Sequence, residues 1–317
     1  MNEDQIINHL RKIIKNPYSF NLNDDVFFDK KKSLVVSIDT FNENIHYPGF
    51  KSPDLILKKV IRSSISDIIA KGADPKYILI AFSGSNKHFN KKNVRLIIKS
   101  IKQEQKKYKF SLIGGDTTAS NKSSFTICVF SYPGNIVKRN SCALNEDIYV
   151  TGNLGDSSVG LSFLKNKITS SSKNKNYFIK KFFKPTLAFG FNKELKKFAS
   201  SSMDISDGLL IDLKKMVSYK KLGFMIDFNL IPTSIKFKNL VDQKKISIYK
   251  HLFAGDDYQI IFTAKNKYRE FIIKYSKKWN QKVTRIGIIT NTRSNFLKIN
   301  KKLKEITDYQ GYIHKFR

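Results

Sequence analysis

One stretch constrains this chain more than any other: SPDLILKKVIRSSISDIIAKGADP, residues 52–75. Ser52 reads as an N-cap and Pro53 suits the first helical turn. Gly72 stops the helix, with Pro75 just beyond. Leu57, Ile61, Ile65 and Ile68 recur at helical spacing and make one apolar face. Lys59, Ser63 and Asp67 follow one another four apart and so share a second face. Asp67 falls in the last turns, where the helix dipole disfavours an anion. A cation nearby would remove that conflict. Apolar runs flank the helix: SLVVSI (33–38), a buried strand ending at Asp39, and YILIAF (77–82). A helix held between two such strands requires a layered α/β arrangement.

The rest of the chain continues the pattern. Residues 91–107 read as a helix, and KFSLI (109–113) as a strand leading into the glycine turn GGDTT. SSFTICVF (123–130) is the next strand, and Tyr132-Pro133-Gly134-Asn135 a turn. A domain boundary is expected within 138–146, dividing the chain into 1–140 and 141–317. EDIYV (146–150) opens the second block, followed by the turn TGNLGD and the helix SSVGLSFLK. KITSSSKNKN (167–176) is low in complexity and reads as a mobile loop. A helix is expected over about 186–198. MDISDGLLIDLKKMV reads as strand, turn and helix, and GFMIDF, YQIIFT and KVTRIGII as strands. Some neighbouring elements are strand–strand, so the expectation is a two-domain mixed α/β (α+β) protein, with mixed sheets flanked by helices.

Composition narrows the chemistry. With 317 residues, 41% of them hydrophobic, a globular protein of two domains is expected. The sequence has no apolar run long enough for a membrane helix, and its N-terminus lacks the features of a secretory signal. Cys128 and Cys142 form neither a disulfide framework nor a metal-ligand spacing, so a reducing cytoplasm is the expected compartment. The net charge of +32 suggests a polyanion partner. Equally, Lys, Asn and Ile are all abundant and all use A/T-rich codons, which accounts for the charge without any partner. Against this basic background there are 19 Asp and only 7 Glu. Many of the Asp sit beside Gly, Ser or Thr: Asp24-Asp25, Asp39-Thr40, Ser66-Asp67, Gly115-Asp116-Thr117-Thr118, Asp204-Ile205-Ser206-Asp207-Gly208 and Gly255-Asp256-Asp257. Converging carboxylates repel one another unless divalent cations coordinate them. Mg²⁺ takes one or two carboxylates per ion and completes its shell with water and phosphate oxygens. Such a centre suits phosphoryl transfer. Neither a Walker loop nor a kinase-type glycine loop is present, so the phosphates must be held in another way.

Seven pieces then occur in a fixed order over about 230 residues: NDDVFF, SIDTFNENIHY, SDIIAKGADP, LIGGDTT, IYVTGNLGDSSVGL, MDISDGL and AGDDYQI. In these the chain resembles the thiamine-monophosphate kinases of the aminoimidazole ribonucleotide synthetase superfamily. The resemblance implies ATP-dependent phosphorylation of thiamine monophosphate to thiamine diphosphate, several Mg²⁺ ions, no covalent phosphoenzyme, and a homodimer built across the N-terminal domains. It implies no nucleic-acid or membrane partner. The nucleophile would be a phosphate oxygen whose second pKa is about 6, so it needs no dedicated general base.

The resemblance also assigns roles. Asp25, Ser37, Ile38, Asp39, Asp67, Asp116, Asp204 and Asp207 match metal positions, with Asp24 in support of Asp25. Gly115, Asp116, Arg139 and Ser206 match ATP contacts, although Lys138-Arg139 also reads as surface charge. The glycines of LIGGDTT would let nucleotide phosphates approach the backbone. His46, Asp256 and Tyr309 match thiamine-phosphate contacts. TGNLGD is expected to be mainly structural. Three positions depart from the family pattern. Ile38 stands where Thr is usual and could bind a metal only through its carbonyl. Asp256 stands where Glu is usual, one methylene shorter. Tyr309 stands where Trp is frequent. Alternatives are a superfamily enzyme with a different substrate and, from another class, a polyanion-binding protein.

Overall fold

The computed structural model describes residues 3–309 and 311–312. The chain begins with α1 (Glu3–Arg11), β1 (Phe27–Asp29), β2 (Leu34–Asn42), α2 (Pro53–Ala70), β3 (Tyr77–Gly84), α3 (Lys91–Tyr108), β4 (Ser111–Ala119) and β5 (Ser124–Ser131). The five strands form one mixed sheet in the order β1-β2-β5-β3-β4, in which only the β3–β4 pair is parallel. Side chains alternate across it. Phe125, Ile127 and Val129 of β5 are buried, and so are Ile78 and Ile80 of β3, together with Leu57, Ile61, Ile65 and Ile68 of α2. The apolar helix face read from the sequence is therefore part of the same buried cluster as this sheet. Pro53 occupies the first turn of α2 as expected, but the Ser52 side chain makes no capping bond.

Two expectations about this half are corrected. The strand carrying Asp39 does not end there; β2 runs on to Asn42, because its alternation continues through buried Phe41. LIGGDTT is not a turn. It lies inside β4, the edge strand, and every residue of β4 is exposed. Gly115 is required by packing: a Cβ there would stand 1.9 Å from the Ile80 carbonyl oxygen of β3.

The second half contains β6 (Asp147–Thr151), α4 (Asp156–Leu164), α5 (Ser172–Phe183), α6 (Asn192–Leu195), β7 (Ala199–Asp204), α7 (Leu209–Ser218), β8 (Gly223–Asp227), α8 (Ile235–Asp242), α9 (Ile248–Leu252), β9 (Ile260–Ala264), α10 (Arg269–Lys278), β10 (Val283–Thr290), β11 (Phe296–Ile299) and β12 (Lys302–Glu305). Its sheet has seven strands in the order β12-β11-β8-β10-β6-β9-β7. The low-complexity segment 167–176 is only partly a loop, since α5 starts at Ser172. Phe178 and Phe182 of α5 are buried, and Phe178 stacks on Phe163 of α4. That packing outweighs a composition that by itself favours disorder. The helix expected over 186–198 shrinks to α6. Gly190, at φ +97°, turns the chain under the Trp279 ring, where a Cβ would clash at 2.7 Å.

The halves share an apolar core. Tyr149, Ile260, Phe262 and Ala264 of the second sheet belong to the same buried cluster as the α2 face. Helix α2 is also pinned to α3 by a buried bidentate pair. Arg62 Nε lies 2.8 Å from Glu104 Oε2, and Arg62 Nη2 lies 2.9 Å from Glu104 Oε1. Its Nη1 donates to the Pro185 carbonyl at 3.0 Å.

Candidate active site

The C-terminal part of α2 and the ends of the surrounding strands enclose a cleft of about 540 Å³. Its polar end holds Asp25, Asp39, Asp67, Asp204 and Asp207, its other end holds Leu161, Phe182, Asp256 and Tyr258, and Tyr312 stands beside the acids, its N–H donating to the Asp207 carbonyl at 2.9 Å. The four-residue spacing along α2 accounts for one wall. Lys59 is engaged at the apolar end, while Ser63 and Asp67 line the cleft directly. Two loops of the second half interlock to form the opposite wall. Asp256 N–H donates to the Ser206 carbonyl at 2.7 Å, and Tyr258 N–H donates to the Ile205 carbonyl at 2.8 Å. Gly255 makes this possible, because a Cβ there would stand 2.3 Å from the Ser206 carbonyl oxygen. Asp212 of α7 holds the first loop from behind, its Oδ2 accepting the N–H groups of Ser206, Asp207 and Gly208, each at 3.1 Å.

The carboxylates divide into two electrostatic sets. Asp25 is fully engaged by protein cations: Oδ2 takes Lys71 Nζ at 2.8 Å and Oδ1 takes Arg139 Nη1 at 2.7 Å. Burial alone would raise its pKa, but these charges hold it well below the usual carboxylate range. Asp207 is paired with Lys215 at 2.5 Å. Among the described residues no such ion pair reaches Asp39, Asp67 or Asp204. Burial, opposed by the nearby Ser64 hydroxyl and aided by the Asp25 charge, pushes Asp39 up to about 6. Burial, followed by the Asp25 and Asp39 charges, pushes Asp204 up to about 7, although Ser66 Oγ donates to its Oδ2 at 2.5 Å. Asp67 is raised well above its ordinary value by burial and then by Asp39, Asp204 and Asp25. These three acids face one cleft and destabilise one another's charge.

Hard oxygen donors in mutual repulsion fit divalent cations. Among the described residues no three carboxylate, imidazole or thiol groups are gathered closely enough to hold one ion between them. An ion such as Mg²⁺ takes one or two carboxylates and draws its remaining ligands from water and phosphate.

The other predicted residues are distributed as follows. Ser37 is buried behind the cleft, its hydroxyl 3.5 Å from the Ser64 carbonyl oxygen. Ile38 lies at the cleft mouth and is 66% exposed. Ser206 lines the cleft. Arg139 stands behind Asp25, and its backbone N–H donates to Asp24 Oδ2 at 2.9 Å. His46 lines the cleft, and its Nδ1 accepts the Asn42 N–H at 2.9 Å. In the neutral ring the proton is then on Nε2, making that atom a donor. Asp256 reaches the cleft with both oxygens engaged, Oδ1 by Lys59 at 2.5 Å and Oδ2 by the Ser157 hydroxyl at 3.3 Å.

Three expected site residues are elsewhere. Tyr309 packs on the core of the second half, hydrogen-bonded to Asn295 and lying beneath Lys214 Nζ, 4.1 Å from the ring centre. Tyr312, three residues on, lines the cleft in its place. Asp116 and Gly115 are on the exposed edge strand. Asp116 pairs in register with Ala81, then Thr126, then Thr40. That places it three strand spacings from β2, roughly 14 Å away. The alternation also directs it to the sheet face opposite Asp39, whose register partners are the buried Ile127 and Ile80.

Sequence reasoning missed Lys59, Lys71, Phe182 and Tyr258. Lys59 Nζ sits 4.0 Å from the Phe182 ring centre and 5.3 Å from that of Tyr258. Both lysines are almost wholly buried. For Lys59 the spacing shared with Ser63 and Asp67 was the available signal; in a chain with 58 Lys and Arg residues, nothing in the sequence separates Lys71 from solvated lysines. In TGNLGD the Gly155 N–H donates to both oxygens of buried Asp257, at 3.0 and 3.1 Å.

A two-domain α/β scaffold with a carboxylate cleft between two mixed sheets defines a class of protein. Residues 23–132 match the family model for the N-terminal domain of AIR synthase related proteins, and residues 146–300 match that for the C-terminal domain. The thiamine-monophosphate kinase of Buchnera aphidicola subsp. Schizaphis graminum is 33% identical over 296 residues, covering 90% of this chain and 88% of that protein. The Escherichia coli K12 enzyme of the same name is 30% identical over 237 residues, covering 74% and 72%. The solved structure described as AaThiL complexed with AMPPCP and TMP superposes with a TM-score of 0.86 at 25% identity, covering 99% of this chain and 97% of that one. The chain belongs to the AIR synthase related family and, within it, to the thiamine-monophosphate kinases.

Proposed function

We infer that this protein transfers the terminal phosphoryl group of ATP to thiamine monophosphate, forming thiamine diphosphate and ADP. The observation that carries the reading is the cleft itself. Three uncompensated acids at one end suit metal-bound phosphates, and the Phe182 and Tyr258 rings at the other offer aromatic surface for a heterocycle to pack on. The superposed relative complexed with AMPPCP and TMP supports this assignment. Thiamine monophosphate would place its ring end beside Asp256, Phe182 and Tyr258. Its phosphate would then point toward His46, whose Nε2–H can donate to it. The attacking atom is a phosphate oxygen, so the protein aligns two anions and needs no base. Mg²⁺ bound by Asp39, Asp67 and Asp204 would neutralise charge on the transferred group. Neither cysteine lines the cleft, which gives no support to a thiol-dependent member of the superfamily. A coupled assay with ATP and Mg²⁺ tests the reading: turnover is expected with thiamine monophosphate and not with thiamine. No thiamine diphosphate formed from the monophosphate would sink it.

Binding of Mg²⁺ should show a pH dependence. Asp39 and Asp204 have folded-state pKa values above the ordinary carboxylate range. Between pH 4 and about 7 these two groups therefore hold more protons in the folded state than in the unfolded chain, so their contribution to the stability of the metal-free protein falls as pH rises through that window. The rise in Tm on adding Mg²⁺ is expected to be larger at pH 8 than at pH 5. Equal shifts at both values, read by differential scanning fluorimetry, would argue against Mg²⁺ at these acids.

The same reading includes a homodimer. The β2-β5-β3 face opposite α2 is open: Ile38 is exposed, and Val36, Leu79, Cys128 and Phe130 are only half-buried. A second copy covering this face and the β4 edge would bury them and bring Gly115 and Asp116 to a shared site. Light scattering should give twice the 36.6 kDa chain mass, and a monomer would remove Asp116 from any such site. We also place the functional division at 1–140 and 141–317 and the protein in the cytoplasm, with no nucleic-acid partner. Among the described residues no helix is long and apolar enough to cross a membrane.

A further inference from the structure

Lys71 follows the last residue of α2, and its side chain is completely buried. An ammonium group has three donors. Here they find three acceptors: Asp24 Oδ1 at 2.6 Å, Asp25 Oδ2 at 2.8 Å and the Ser202 carbonyl oxygen at 3.1 Å. Arg139 Nη1 takes the other oxygen of Asp25 at 2.7 Å. Asp24 is likewise fully engaged, its Oδ2 accepting the Arg139 backbone N–H. Two acids and two protein cations thus form a closed, neutral group at one end of the cleft. The position suits a cation for a second reason, since the carbonyl end of α2 and the acid one turn earlier, Asp67, both favour positive charge there.

We propose that Lys71 is a resident cation that takes a metal position at Asp24 and Asp25, so that divalent ions load only at Asp39, Asp67 and Asp204. The proposal rests on the reading that this cleft binds divalent cations at all. Lysine suits the role because its charge is compact and its stem is flexible, so the ammonium can reach between two carboxylates inside the fold. An ion at Asp25 would have to displace Lys71 or Arg139 and leave a buried charge without a partner, which is strongly unfavourable. Asp39 and Asp204 impose no such cost, because among the described residues neither has a protein cation to lose.

Direct Mn²⁺ titration of the full-length protein, followed by electron paramagnetic resonance without nucleotide, tests this independently of turnover. Asp25→Asn is expected to leave the number of bound Mn²⁺ ions unchanged, while Asp204→Asn removes one or weakens binding at least tenfold. Lys71→Met, which keeps the length of the stem and removes the charge, is expected to take up one further ion per chain. Loss of an ion in Asp25→Asn equal to that in Asp204→Asn would overturn the proposal and make Asp25 a ligand, whether or not Lys71→Met folds. Mn²⁺ binding to Lys71→Met identical to that of the unaltered protein would also overturn it. If the unaltered protein binds no Mn²⁺, the metal reading itself fails and the proposal falls with it.

Discussion

Asp204→Asn is expected to lower kcat by at least about 10²–10³-fold, the range typical for removing one group that stabilises transferred charge. Asp204 ends β7 and is buried against Asp39 and Asp67, with a single hydroxyl from Ser66 in support. Its carboxylate is worth its unfavourable environment only if a cation arrives to share it. Asn keeps the size and can still accept the Ser66 hydroxyl, but it brings no charge. The substitution also removes one source of repulsion from Asp67. The metal-free variant should therefore be at least as thermally stable as the unaltered protein at pH 8, while Mg²⁺ should raise its Tm less. Lost activity with unchanged or higher Tm separates a functional acid from a structural one. Near-normal turnover would remove Asp204 from the metal set.

The largest stability effect is expected from Glu104→Ala. This acid is buried and forms both bonds of the pair with Arg62. Its removal leaves a guanidinium in the interior with the Pro185 carbonyl as hydrogen-bond partner and the Tyr108 ring 5.5 Å away, but without its counter-ion. Breaking such a pair from one side costs about 3–5 kcal/mol, because the remaining charge has neither solvent nor counter-ion. In a chain of this size that corresponds to a fall in Tm on the order of 10 °C. Glu104 is on α3, remote from the cleft chemistry, yet α2 carries Lys59, Ser63 and Asp67 toward the cleft. Activity should consequently fall with the folded fraction and no further. A Tm within about 2 °C of the unaltered protein would show that the pair contributes little. Replacing Arg62 and Glu104 together by Leu should recover most of the loss, since the stranded charge is then gone.

Much of this architecture was legible because periodicity is a local property. The α2 face of Leu57, Ile61, Ile65 and Ile68 was read from spacing and is buried as expected. The three residues on its polar face, four apart, do project toward one cleft. Failures occurred where a distant partner decides the local structure. Phe178 and Phe182 make a helix of a segment that composition assigns to a loop, because α4 is there to receive them. Gly115 looked like a turn residue, yet it serves a close approach between β4 and β3, and a glycine in sequence does not say which. The helix expected at 186–198 failed at Gly190, where Trp279, nearly ninety residues later, occupies the space.

The order of the Asp-bearing motifs, the two-block alternation and the family membership follow from the sequence alone, since each depends on residue type at short range. The division of the acids into compensated and uncompensated sets does not. Asp25 and Asp39 look alike in sequence, each an aspartate in a polar cluster. Only the fold shows that Lys71 and Arg139 close around Asp25 while Asp39 faces Asp67 and Asp204. The same holds for Tyr309 and Tyr312, three residues apart, of which one packs on the core and the other lines the cleft. Charge interactions depend on distances in space between residues far apart in the chain. Tertiary structure therefore decided which aspartates remain available to a metal.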